Sequence, residues 1–173
     1  MSNPMDRRDF LKSMAASGTV ALTSLPVLEA AVNRSVAPGC KFFTVSQAAL
    51  VENIAEQIVP ADEHPGGKSA GVVLYIDGIL AGRFGKFYKN RYEEGLDMVD
   101  VVSQKRFTRN FVSLSPEQQI SILKALESGD AAADSGRDFF ALLLQHIMEG
   151  YYGDPQHGGN RDEASWKMIG FGG

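Results

Sequence analysis

The chain has 173 residues, a net charge of −4 and a pI near 5.4. That length suits one domain, and the scattered, mildly acidic charge argues against nucleic acid as a partner. A single cysteine, Cys40, allows no intrachain disulfide and fits neither a Cys-x-x-Cys-His haem site nor an iron–sulfur cluster.

The N-terminus reads Asp6-Arg7-Arg8-Asp9-Phe10-Leu11-Lys12, followed by a weakly apolar stretch to Ala31. Adjacent arginines, the apolar pair Phe10-Leu11 and Lys12 form a twin-arginine signal, an address read by a translocase that accepts folded cargo. Ser17, Gly18, Thr19, Thr23, Ser24 and Pro26 make the stretch too polar for a membrane span. The competing reading, a basic amphipathic start to the globular domain, is opposed by Gly18 and Pro26. Residues 1–31 are therefore expected to be a signal peptide, cut after Ala30 or Ala31 or retained as a tether, since Leu28 makes a poor cleavage site. The expected location is the periplasm.

Residues 32–43 read as a linker broken by Pro38 and Gly39. Cys40 lies beyond the apolar stretch, and Ala37-Pro38-Gly39 before it do not make a lipoprotein site. An odd cysteine in an exported chain points to a bridge with another chain, and the alternative is an idle thiol.

About 140 residues remain for a core, enough to fold without staples. Thr44 with Gln47 predicts a capped helix start, continued by Leu50, Val51, Ile54 and Ile58 and ended at Pro60. A second helix from near Ser69 carries Val72, Val73, Ile76, Ile79 and Leu80, with Phe84 and Phe87 beyond. Asn90 to Phe107 forms a third, with Leu96, Val99 and Val102 inward and Gly95 weakening its middle. Ser115, Pro116 and Gln118 open the clearest helix, with Ile120, Leu123 and Leu126 as its stripe and Gly129 as a left-handed stop. Ser135 or Asp138 caps a fifth, with Phe139, Leu142, Leu143, Ile147 and Tyr151 inward. No alternating strand pattern occurs. The expected fold is all-α, a single compact domain over residues 44–173 of about five helices with an irregular Gly-rich tail.

Sites for chemistry are scarce. Gly66-Gly67-Lys68-Ser69 ends like a phosphate loop, but Asp62 stands where glycine is needed and a helix with Pro60 precedes it instead of a strand. His146 and Glu149 share a helix face, and His157 follows after a turn. This set is a conceivable metal site for a stand-alone metal-dependent enzyme, weighed against an ordinary packed histidine. No nucleophile elbow or dinucleotide fingerprint is present. The tail is unusual: Tyr151, Tyr152, Asp154, Asn160, Arg161 and Trp166 stand among glycines, the composition of a protein-binding anchor. The alternative is an arm packed on its own helices, with Tyr152 and Trp166 as core.

Several stretches together resemble the gluconate 2-dehydrogenase subunit 3 family: the twin-arginine start, IAEQIVPADE (54–63), AGVVLYID (70–77) and LSPEQ (114–118). The most specific is the ending, with Phe139-Phe140, EGYYGDP (149–155), Gly158-Gly159-Asn160, Trp166 and Gly170. Gly-Asp-Pro followed by Gly-Gly-Asn and Trp is read as a pattern that packing does not require. His157 departs from the family, which more often has Tyr there.

The resemblance implies a non-catalytic small subunit of a periplasmic dehydrogenase complex, without a cofactor of its own. Its expected partners are a large FAD-containing subunit of the glucose-methanol-choline type, which oxidises a sugar or sugar acid at a CH-OH group, and a multi-haem cytochrome c holding haem c. Through that complex the chain would sit at the inner membrane, and its signal would carry the folded flavoprotein outward. Residues 151–173 are then the expected docking segment. A free-standing periplasmic binding protein is the third reading.

Overall fold

A computed structural model of the chain describes residues 36–171. The signal segment lies outside the described residues. The architecture is all-α, as the sequence predicts; among the described residues the sole β feature is an isolated antiparallel bridge between Val36 and Thr44. Six α-helices are present among the described residues: α1 (Val45–Ile58), α2 (Val72–Ala81), α3 (Lys89–Phe107), α4 (Pro116–Ser128), α5 (Ala133–Tyr152) and α6 (Ala164–Ile169).

Local chemistry sets two of the starts. The Thr44 hydroxyl accepts from the Gln47 amide, and the Gln47 side chain accepts from the Thr44 amide at 3.1 Å. Ser115 and Gln118 repeat this reciprocal pair at α4, with Pro116 in the first helical position. Each pair satisfies two amides that a helix start leaves without intrahelical partners. The expected left-handed stop stands at Gly129, with φ 82°.

Helix α5 is the central element. Its face of Phe139, Leu142, Leu143, Ile147 and Tyr151 is buried as predicted, together with Gly136, His146 and Gly150, and the helix touches α2, α3, α4 and α6. Gly95 of α3, which weakens that helix on propensity, is where α5 comes closest: a Cβ there would overlap the Phe139 ring. The lost propensity is exchanged for close packing of α3 on α5.

Four expectations are corrected. The stripe of α4 runs through Ile122, Leu123 and Leu126, while Ile120 is 39 % exposed. Gln119 causes the rotation: its buried amide donates to the Phe111 carbonyl at 3.0 Å and its oxygen accepts from Gln57 at 2.9 Å, so a polar residue holds an inward position. Helix α5 begins at Ala133, ahead of Ser135 and Asp138, because Ala132 turns left-handed (φ 61°) and no side chain caps the start. Phe84 and Phe87 do not extend the α2 stripe; both are exposed on a 3₁₀ turn, Gly85–Phe87.

The fourth correction concerns the linker. Residues 36–43 are folded into the domain. Phe43 is fully buried, the Ala37 amide donates to the Phe43 carbonyl at 2.9 Å, and the loop closes on Asp77. This buried carboxylate on α2 accepts three successive backbone amides, Lys41 at 2.7 Å and Phe42 and Phe43 at 2.9 Å each. Consecutive amides make an anion-binding concavity, and the charge makes each bond stronger than a neutral one.

Replacing Asp77 with Ala leaves those three amides without a partner. The expected cost is about 3 kcal/mol, a fall in Tm on the order of 10 °C in thermal denaturation. An unchanged Tm would contradict the role of this carboxylate.

Candidate functional site

A cleft of about 560 Å³ lies between α2 and α5. Tyr75 and Ile79 of α2, Phe84 and Tyr88 of the 3₁₀ turn, His146 and Glu149 of α5, and His157 line it. His146 is buried, stacked on Tyr92 (centroids 5.8 Å apart, planes 3° off parallel) and met edge-on by Tyr88 at 5.0 Å. Its Nδ1 shares a 2.9 Å hydrogen bond with the Tyr92 hydroxyl. Burial lowers the His146 pKa, against the opposing charge of Glu149, so the ring stays neutral near pH 7. Glu149 accepts from the Tyr75 hydroxyl at 3.1 Å and from Gln145 at 2.8 Å. Burial and then Glu149 push Tyr75 up to about 12, which keeps the phenol protonated and donating.

His146, Glu149 and His157, the candidate metal set, all line this cleft. Among the described residues no three His, Cys, Asp or Glu side chains are grouped to hold an ion. Nδ1 of His146 is hydrogen-bonded to Tyr92, and Glu149 accepts from Tyr75. The residues resembling a phosphate loop pack on α1 instead. Lys68 pairs with Glu52 at 3.4 Å, and its amide donates to Glu56 at 3.2 Å.

The C-terminal arm is ordered by the residues that make the sequence pattern distinctive. Asp154 caps the turn Pro155–His157, accepting from the Gln156 amide at 3.0 Å. Gly159 lies against the Gly150 carbonyl, where any side chain would overlap it. Asn160, fully buried in a left-handed conformation, donates to the Gly153 carbonyl at 2.9 Å and accepts from the Ser165 amide and hydroxyl, each at 2.9 Å. Packing thus does require the Gly-Asp-Pro and Gly-Gly-Asn pattern, contrary to the expectation from sequence.

The six candidate docking residues separate accordingly. Tyr151 is buried, its hydroxyl donating to the Pro65 carbonyl at 2.8 Å, and Asn160 is internal. Asp154 is exposed while capping its turn. Tyr152 is 41 % exposed, and its carbonyl accepts from the half-buried Trp166 indole at 2.9 Å. Trp166 in turn meets Phe171 edge-on at 5.0 Å. The Arg161 amide donates to Ala70 at 2.9 Å while the residue remains exposed. Sequence reasoning missed Ile169 and Phe171, 59 % and 61 % exposed beside these residues. Apolar residues within a Gly-rich ending were the available signal.

Cys40 is half-buried in a second cleft that Arg161 also lines. Burial first, and then the charge and hydrogen bond of Asp77, push its thiol up to about 11. Only the thiolate attacks, so a bridge to another chain would form slowly. Alkylation by iodoacetamide at pH 8 should be roughly a hundredfold slower in the folded chain than in urea; equal rates would contradict this.

Arg7, Arg8, Phe10, Leu11 and Lys12 lie outside the described residues. No curated protein and no solved structure matches the chain. The profile described as gluconate 2-dehydrogenase subunit 3 matches residues 45–173, the span from the first capped helix through the C-terminal arm. The chain belongs to the gluconate 2-dehydrogenase subunit 3 family and is an accessory subunit of a multi-subunit dehydrogenase complex.

Proposed function

We propose that this chain is the non-catalytic small subunit of a periplasmic, FAD-dependent dehydrogenase acting on CH-OH groups of a sugar or sugar acid. In this role it docks a large flavoprotein of the glucose-methanol-choline type and takes it, already folded, through the twin-arginine translocase. A multi-haem cytochrome c accepts the electrons and holds the assembly at the inner membrane. The observation that carries the reading is the family match over residues 45–173, in a chain whose N-terminus reads as a signal for folded cargo.

The docking surface follows from exposure. Tyr152, Trp166 and Phe171 are joined by the Trp166–Tyr152 hydrogen bond and the Trp166–Phe171 ring contact, and Ile169, in the same C-terminal helix as Trp166, is also exposed. Aromatic and Arg side chains are the usual anchors of protein interfaces. Tyr152→Ala and Phe171→Ser should each weaken pairing with the flavoprotein by about tenfold, read as Kd of the purified subunits, with Tm held within about 2 °C. Undiminished pairing in both variants would contradict this surface.

Replacing Arg7 and Arg8 by Lys should leave both subunits, and the dehydrogenase activity, in the cytoplasmic fraction. A flavoprotein that still reached the periplasm would overturn the carrier role.

A further inference from the structure

We propose that the loop of residues 82–91 is a contact for an anionic phospholipid surface, with Phe84 and Phe87 entering the interface and Arg83, Lys86 and Lys89 meeting lipid phosphates. The segment reads Gly-Arg-Phe-Gly-Lys-Phe-Tyr-Lys-Asn-Arg, with four cations and no carboxylate. Because the whole chain carries −4, the remaining residues carry −8. The loop is thus a locally basic segment in an acidic chain, and a negative surface attracts it.

The loop's geometry suits insertion rather than a place in the core. Phe84 and Phe87 are 51 % and 61 % exposed on a short turn fixed by backbone hydrogen bonds, Phe87 amide to Phe84 carbonyl at 3.0 Å and Tyr88 amide to Gly85 carbonyl at 2.9 Å. Cations lie over the aromatic rings, Arg83 at 4.6 Å from the Phe84 centroid and Lys86 at 4.9 Å from that of Phe87. Apolar rings beside cations are the chemistry of an interfacial anchor. Lys89 and Arg91 occupy the first turn of α3, which contains no acidic residue, although the positive end of a helix favours carboxylates. Lys89 lies over the Phe42 ring at 5.4 Å and Arg91 donates to the Asp138 carbonyl at 3.4 Å, so Arg83 and Lys86 are the cations that flank the two exposed rings most directly. Among the described residues no helix is long and apolar enough to cross a membrane, so the contact proposed is peripheral.

The test is flotation of the full chain with phosphatidylcholine vesicles, pure or containing about a third phosphatidylglycerol. Residues 1–31 carry cations of their own, so comparison is made between variants that keep that segment unchanged. Wild type should float with the anionic vesicles and release as salt rises. Phe84→Ser with Phe87→Ser, and separately Arg83→Glu with Lys86→Glu, should each lower the bound fraction at limiting lipid by about tenfold. Circular dichroism checks that both variants keep the helical fold. Wild-type flotation by both variants would overturn the proposal. So would unchanged flotation with loss of flavoprotein pairing, which would make the loop a protein interface. Subunit pairing is not required for the vesicle result, so its failure leaves the proposed function standing.

Discussion

The Asp77 carboxylate joins two parts of the chain that sequence reading separates. Its three amide partners lie 34 to 36 residues earlier, in a loop that contains Pro38, Gly39 and Cys40. Burying a carboxylate is costly unless hydrogen bonds replace its water, and three converging amides supply that replacement. The result positions Phe43 in the core and Thr44 at the head of α1. Burial first, and then the Asp77 charge, also raise the Cys40 pKa.

The second constraint is backbone proximity around α5. Gly150 and Gly159 let the arm lie directly on the helix, and Asn160 then gathers Gly153 and Ser165 around one side chain. Because of this, Gly150, Tyr151, Gly159 and Asn160 of the family pattern face inward. Of the pattern, Tyr152 stays exposed, and the apolar residues Ile169 and Phe171 just beyond it are exposed as well.

The helices were legible in the sequence wherever the signal was local. Capping boxes at Thr44 and Ser115, the stop at Gly129 and the stripe of α5 depend on neighbours within a few residues. The misread elements involve distant or unusual partners. Asp77 binds amides with no side-chain signature, Gln119 turns inward to reach Phe111 and Gln57, and the start of α5 depends on a left-handed alanine. Of the candidate site, the sharing of one cleft by His146, Glu149 and His157 was legible. Their engagement by Tyr92 and Tyr75 was not, because those tyrosines come from other helices. The basic and aromatic character of residues 82–91 was visible in composition, but its meaning required knowing that both phenylalanines are exposed.

The central claim is that this chain works as part of a flavin dehydrogenase rather than alone. The most direct measurement is the absorption spectrum and dye-linked dehydrogenase activity of whatever is isolated from the native cell envelope through a tag on this chain. The account predicts a co-purifying large subunit with a stoichiometric flavin band that bleaches when the correct sugar or sugar acid is added. Isolation of the chain as a flavin-free monomer, with the dehydrogenase activity elsewhere in the envelope, would contradict it.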